Sequence, residues 1–160
     1  MYAQFCLGFT GQSMIHLYDI LILAAYKWNN VITRGEPAMD YAIIVEGKND
    51  KSKLKRLLHE EVRIFCTFGT PSTERLEWLR NHVYADHVYI FTDNDSSGKK
   101  IRRLLSDVFQ DAEHLYTRRG YPGVEHTPLD YLIVQLEKAG LEAFIRYDAL
   151  DPAIWKKEEF

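Results

Sequence analysis

The sequence predicts an α/β fold, a mostly parallel sheet of about four strands flanked by helices. Two observations carry this. Between Tyr41 and Gly140, short runs rich in apolar, β-branched and aromatic residues alternate with stretches of helical period. Two of those runs also break off in the same way. Ala42-Ile-Ile-Val-Glu46-Gly47-Lys-Asn-Asp50 and Val88-Tyr-Ile-Phe-Thr-Asp93-Asn94-Asp95-Ser-Ser-Gly98 each pass abruptly into acids and glycine before a helical pattern begins. Strand, acidic turn and helix therefore occur twice.

The elements follow in order. Strand one, Tyr41 to Glu46, precedes a helix from about Lys51 to Glu60, with Leu54, Leu57 and Leu58 inward and Asn49 or Asp50 as its cap. Strand two is Val62 to Thr67. Thr70-Pro71 opens the next helix, proline being favoured at the first helical position, and Leu76, Leu79 and Val83 form its buried stripe. Strand three, His87 to Thr92, delivers Asp93 and Asp95. The helix after it, Ser97 to about Phe109, has the cleanest period, in Ile101, Leu104, Leu105, Val108 and Phe109. Strand four is Glu113 to Thr117, followed by a loop to His126. Thr127-Pro128 opens the last helix, with Leu129, Leu132, Ile133 and Leu136 inward, and Gly140 ends it. Right-handed crossovers between such strands give a parallel sheet covered on both faces.

This assigns residues 39–140 to the α/β domain, 1–38 to an N-terminal helical extension and 141–160 to a C-terminal tail. Met14 to Tyr26 is apolar at helical spacing, but it contains His16 and Asp19 and is shorter than the roughly 20 residues needed to cross a bilayer. Two readings of the extension stand: a peripheral helix, or a segment translated from an upstream start. The formal charge of −3 argues against a protein that coats nucleic acid by bulk charge, so any such contact is local or bridged by metal. Cys6 and Cys66 have no metal-like spacing and read as free thiols in a reducing cytoplasm, with no membrane association expected.

In an open α/β sheet, ligands bind outside the carboxyl ends of the strands, which brings Glu46, Asp93 and Asp95 to one edge. Carboxylates gathered there repel one another, and a divalent cation relieves the repulsion. Mg²⁺ suits a sparse set of acids, because it keeps several waters and takes one or two carboxylates plus substrate phosphates. Phosphoryl transfer follows as the reaction class, with Asp93 and Asp95 holding metal and Glu46 binding metal or moving a proton. The plainer alternative is that these acids cap helices, where the helix dipole also favours them.

A strand ending in Glu-Gly, then about 45 residues later one ending in Asp-x-Asp before Ser-Gly-Lys, resembles the Toprim domain shared by topoisomerases, bacterial primases and the nuclease that matures 5S ribosomal RNA. EGKND, TDND followed by GKKIR, and Gly123-Val-Glu125-His126 are most similar to that nuclease and to small stand-alone bacterial Toprim proteins. The resemblance covers about residues 40 to 135. It implies a Toprim (Rossmann-like) fold, Glu46 as general acid/base, Asp93 and Asp95 as Mg²⁺ ligands with Mn²⁺ able to substitute, and Asp50 as a further ligand. Ser97 stands where topoisomerases carry a third acid. No strand-passage, template-binding or second RNA-binding region is expected in the remaining sequence, so a partner protein or second subunit would have to supply any further surface.

Lys48 and Lys99, nearest the acids, and Arg118 and Arg119 on the loop after strand four are candidate nucleic-acid contacts; Arg102 and Arg103 share the basic start of their helix. Any of them also fits a solvated surface. Gly98-Lys99 is no Walker phosphate loop, because Asp93 occupies the required first glycine. Gly47, Gly69 and Gly98 lie at the same edge, with Glu125 and His126 as additional candidates. Trp28, Trp78 and Trp155 offer faces for base stacking, although tryptophan in such a domain more commonly packs. The expected function is a Mg²⁺-dependent nuclease acting on RNA or DNA. The alternatives are a non-catalytic module binding nucleic acid or a partner, and primase-like nucleotide addition.

Overall fold

Among the described residues, four strands form where the apolar runs lie: β1 (Tyr41–Val45), β2 (Val62–Cys66), β3 (His87–Thr92) and β4 (Glu113–Tyr116). The computed structural model describes residues 39–117, 120–121 and 123–150. The N-terminal extension with Met14 to Tyr26, the pair Arg118 and Arg119, Cys6, Trp28, Trp155 and the chain past Leu150 lie outside the described residues.

All the pairings within this sheet are parallel, and the strand order is β2-β1-β3-β4. Tyr41 aligns with Val62 on one side and with His87 on the other. The two central strands are nearly continuous apolar runs because both of their faces are covered. Alternate residues then divide into two cores. Ile43, Val45, Tyr89 and Phe91 pack with Leu54 and Leu57 of α1 (Lys48–Leu57) and with Leu132, Ile133 and Leu136 of α4 (Leu129–Lys138). Ala42, Ile44 and Ile90 pack on the opposite face with Leu79 of α2 (Thr73–His82) and with Ile101 and Leu105 of α3 (Ser96–Val108).

Helix boundaries depart from the sequence expectation where capping chemistry decides them. α1 starts at Lys48 rather than Lys51, with Gly47 as its cap, and Asp50 reaches back from the first turn to accept the Gly47 N–H at 2.8 Å. Pro71 is buried ahead of α2 instead of opening it, and the Ser72 hydroxyl caps that helix by accepting the Arg75 N–H at 3.3 Å. Residues past Gly140 join the core: Leu141 and Ile145 are buried, and Ile145 bridges to Leu58 as α1 ends. Two short 3₁₀ turns, Glu142–Phe144 and Tyr147–Ala149, complete this stretch.

The order of the strands places the site. From β1 the chain crosses by α1 to β2 on one side, whereas β3 lies on the other side and is followed by α3 on the opposite face. A crevice therefore opens beyond the carboxyl ends of β1 and β3, the topological switch point of an open α/β sheet. Glu46 and Asp93 are the residues that immediately follow these two strands.

Candidate active site

Val45 aligns with Phe91, so Glu46 stands level with Thr92, and Asp93 follows one residue later on the neighbouring strand. The backbone of Glu46 is held from the end of β2. Its carbonyl accepts the N–H groups of Phe68 at 2.9 Å and Gly69 at 3.4 Å, and the Thr67 hydroxyl also donates to it. Asp93 Oδ1 accepts the N–H of Val124 at 3.1 Å, which docks the loop after β4 against the acid. Asp95 caps α3, its Oδ1 accepting the Gly98 N–H at 2.7 Å. Between the two acids, the Asn94 amide donates to the Thr117 carbonyl at 2.6 Å and ties the turn to the end of β4.

Two glycines permit this packing. A Cβ on Gly98 would lie 2.2 Å from the Asp93 carbonyl oxygen, so α3 can begin against that backbone only without a side chain. A Cβ on Gly123 would lie 2.5 Å from Asp93 Oδ2. Gly47 has no such need for close approach beyond contact with Asp50, and Gly69 sits in an open turn with φ +82°.

The carboxylates act on one another. Burial first, then the charges of Asp93, Asp95 and Asp50, holds the Glu46 carboxyl above its ordinary value. Burial also raises Asp93, with Asp50 and Asp95 adding to the effect, while the Val124 N–H and His126 oppose it. Glu46 Oε2 is buried and accepts no hydrogen bond. An oxygen withdrawn from water, unpartnered and beside other acids is a hard ligand suited to Mg²⁺. Among the described residues, no three acids, histidines or cysteines converge into a ready-made ion cage. A sparse set of acids of this kind fits Mg²⁺, which takes one or two protein carboxylates and keeps several waters.

The other sequence candidates divide clearly. Asp50 is buried with both oxygens engaged, Oδ2 by Gly47 and Oδ1 by the N–H of Glu125 at 3.1 Å. Glu125 is exposed, and its carboxylate accepts from the Asn49 amide at 3.1 Å. Lys53 donates to the carbonyls of Glu125 and Thr127, so the first turns of α1 hold the loop that reaches Asp93. His126 is exposed and near enough to Asp93 to act on its charge. Lys48 and Lys99 are exposed at the starts of α1 and α3.

Arg102 corrects both readings of the basic helix start. It is buried, and its guanidinium donates to the carbonyls of Ile90, Thr92 and Leu115 at 3.0, 3.0 and 2.8 Å. A further bond joins it to His114 Nδ1 at 2.9 Å. The periodicity contained the signal, because Gly98, Ile101, Arg102 and Leu105 make one stripe at helical spacing. Sequence reasoning also missed Phe68, two residues past β2, and Arg75 in the first turn of α2. Cys66 is a buried free thiol.

The Toprim domain family model matches residues 41–123. A Bacillus subtilis (strain 168) protein named uncharacterized protein YusF is 42% identical over 103 residues, covering 64% of this chain and 70% of its own length. Ribonuclease M5 of Mycoplasma capricolum subsp. capricolum is 41% identical over 66 residues, 41% of this chain and 37% of that protein. Ribonuclease M5 of Lactococcus lactis subsp. lactis is 31% identical over 99 residues, 56% of this chain and 47% of that protein. The chain thus spans less than half the length of these two ribonucleases. The solved structure of a small TOPRIM domain protein from Bacillus stearothermophilus superposes with a TM-score of 0.62 at 37% identity, covering 76% of this chain and 99% of that one.

Proposed function

The chain belongs to the Toprim domain family, and from that premise we propose that it is a Mg²⁺-dependent nuclease that cleaves phosphodiesters, with RNA as the first substrate class. The observation that carries this reading is the pair of acidic strand ends at the switch point, with one buried Glu46 oxygen lacking a partner. The ribonuclease M5 relatives favour RNA over DNA.

Asp93 and Asp95 would hold the metal, with Glu46 beside them, and Mg²⁺ held there would supply neutralisation of the phosphodiester and of the charge that develops in transfer. Glu46 moves the proton, and its raised affinity for a proton, due first to burial, suits a group that must both take and give one. Asp50 positions rather than ligates: its two oxygens fix the Gly47 turn and the Glu125 backbone. Lys48 and Lys99, exposed at the starts of α1 and α3, contact phosphates beside the acids, and Arg118 and Arg119 remain further contacts read from the sequence alone.

A second reading is a module that binds metal and nucleic acid without chemistry, since the matches to ribonuclease M5 cover less than half the length of those proteins. One experiment separates the two. The protein is incubated with structured RNA and with single- and double-stranded DNA, with and without Mg²⁺ or Mn²⁺, beside Glu46→Gln and Asp95→Asn. Metal-dependent shortening of a substrate that both variants lose supports the nuclease. Mg²⁺-dependent binding with every substrate left intact supports the module, and incorporation of nucleotides into a strand would instead indicate a primase-like transferase.

A further inference from the structure

Phe68 is 58% exposed and has φ +64°, the left-handed region that a bulky aromatic residue seldom adopts. Its N–H donates to the carbonyl of Glu46, so this outward ring is pinned directly to the acidic edge. Cations flank it: Lys48 Nζ lies 5.8 Å and the Arg75 guanidinium 4.9 Å from the ring centroid. The same guanidinium is 4.2 Å from the ring of Trp78, which is 39% exposed and stacks on His82 at 4.2 Å. Arg75 is held in place by the Cys66 carbonyl. A layered row of flat groups, Phe68, Arg75, Trp78 and His82, thus runs outward from the site along α2, whose only fully buried side chain is Leu79.

We propose that Phe68 is a stacking platform for an unpaired nucleobase of single-stranded nucleic acid, with Lys48 and Arg75 taking the adjoining phosphates. The inference rests on the nucleic-acid reading above and adds to it a preference for unpaired nucleotides next to the bond that is cut. A ring face with cations beside it matches a base attached to a phosphate. The cations against the ring, Lys48 and Arg75, favour a base attached to a phosphate over an apolar peptide. Stacking is sequence-tolerant because every base has a π-face, so the platform selects single strand over duplex rather than one base over another.

The test uses the full chain and compares wild type, Phe68→Asn and Phe68→Tyr. Asparagine tolerates the left-handed backbone and removes the ring; tyrosine keeps the ring. Affinity is measured by fluorescence anisotropy for a single-stranded RNA, a single-stranded DNA and a blunt duplex, with thermal melting as the control for folding. Phe68→Asn is expected to lose about tenfold in affinity for the single strands and to match wild type on duplex, while Phe68→Tyr stays within about twofold of wild type. The RNA and DNA arms show which strand the platform prefers. Equal binding of single strand by Phe68→Asn and wild type overturns the platform, as does an equal loss on single strand and duplex. A change in oligomeric mass on substitution, read by sedimentation, likewise overturns it by assigning the ring to a protein interface. If wild type cleaves RNA and Phe68→Asn is indistinguishable from it on every substrate, the platform alone fails. If wild type neither binds nor cleaves any nucleic acid, the nucleic-acid reading fails and takes the platform with it.

Discussion

The N–H of Val124 donates to Asp93 Oδ1 at 3.1 Å, joining two residues 31 positions apart. A loop after the last strand thereby orients an acid at the end of the third. Because Gly123 precedes that amide and touches the carboxylate, the loop also sets how far Asp93 can turn.

Gly123→Ala and Gly98→Ala should therefore behave differently. At Gly123, where φ is +158°, the new Cβ would first meet the Asp93 carboxylate, which can swing aside, and the backbone would be strained. Cleavage is expected to fall by about 100-fold, the order of loss from misplacing a reacting group by an ångström, with a smaller loss of stability than at Gly98. At Gly98 the Cβ meets the backbone of Asp93, which cannot move without displacing α3. There the loss is one of stability, about 3 kcal/mol, read as a lower urea midpoint. Equal effects of the two variants on stability would contradict this assignment.

Arg102→Met should destabilise the fold by about 3 kcal/mol, because a buried guanidinium joins three carbonyls of β3 and β4, and these lose their donors together. Arg102→Lys should recover little, since one ammonium cannot reproduce the planar fork. Urea unfolding of both variants tests this. A solvated or phosphate-binding arginine would instead leave stability unchanged and lower substrate affinity.

Asp95 combines a cap with a proposed ligand, and two substitutions separate the roles. Asparagine can still accept the Gly98 N–H, so Asp95→Asn should melt with wild type yet lose metal-dependent cleavage. Asp95→Ala should lose cleavage and about 1 kcal/mol of stability as well. Retained turnover in Asp95→Asn would assign this residue to capping alone.

Stability without metal should fall as pH rises. Burial lifts the carboxyls of Glu46, Asp50 and Asp93 above their ordinary values of 4.5, 3.8 and 3.8, so over this window the folded chain binds more protons than the unfolded one. A raised folded value means stability that is present below the unfolded pKa and lost as pH climbs through the folded one. Melting temperatures from pH 4 upward should decline over this range in chelator, and Mg²⁺ should restore them at neutral pH. Glu46→Gln should flatten the decline. A metal-free melting temperature that climbs across the same range would show that burial and the neighbouring charges do not hold these carboxyls above their ordinary values.

Most elements of the fold were legible in the sequence, because strand and helix periods and the acid-glycine breaks after Val45 and Thr92 are local. Burial of one face and the chemistry of a strand end are written within a few residues of each other. Among the described residues, the sequence thus determined four strands, four α-helices and the placing of Glu46, Asp93 and Asp95 at or just past strand ends. The tertiary structure decided what stands beside what. The order β2-β1-β3-β4 makes Glu46 and Asp93 neighbours, and only packing turns Arg102 inward, presses Gly123 on Asp93 and joins Asp50 to Glu125. The left-handed Phe68 belongs to the same class, since its N–H is held by the carbonyl of Glu46, the residue after β1 and 22 positions earlier. The physical reason is common to all of these: each depends on a partner distant in sequence, and no local propensity contains that partner.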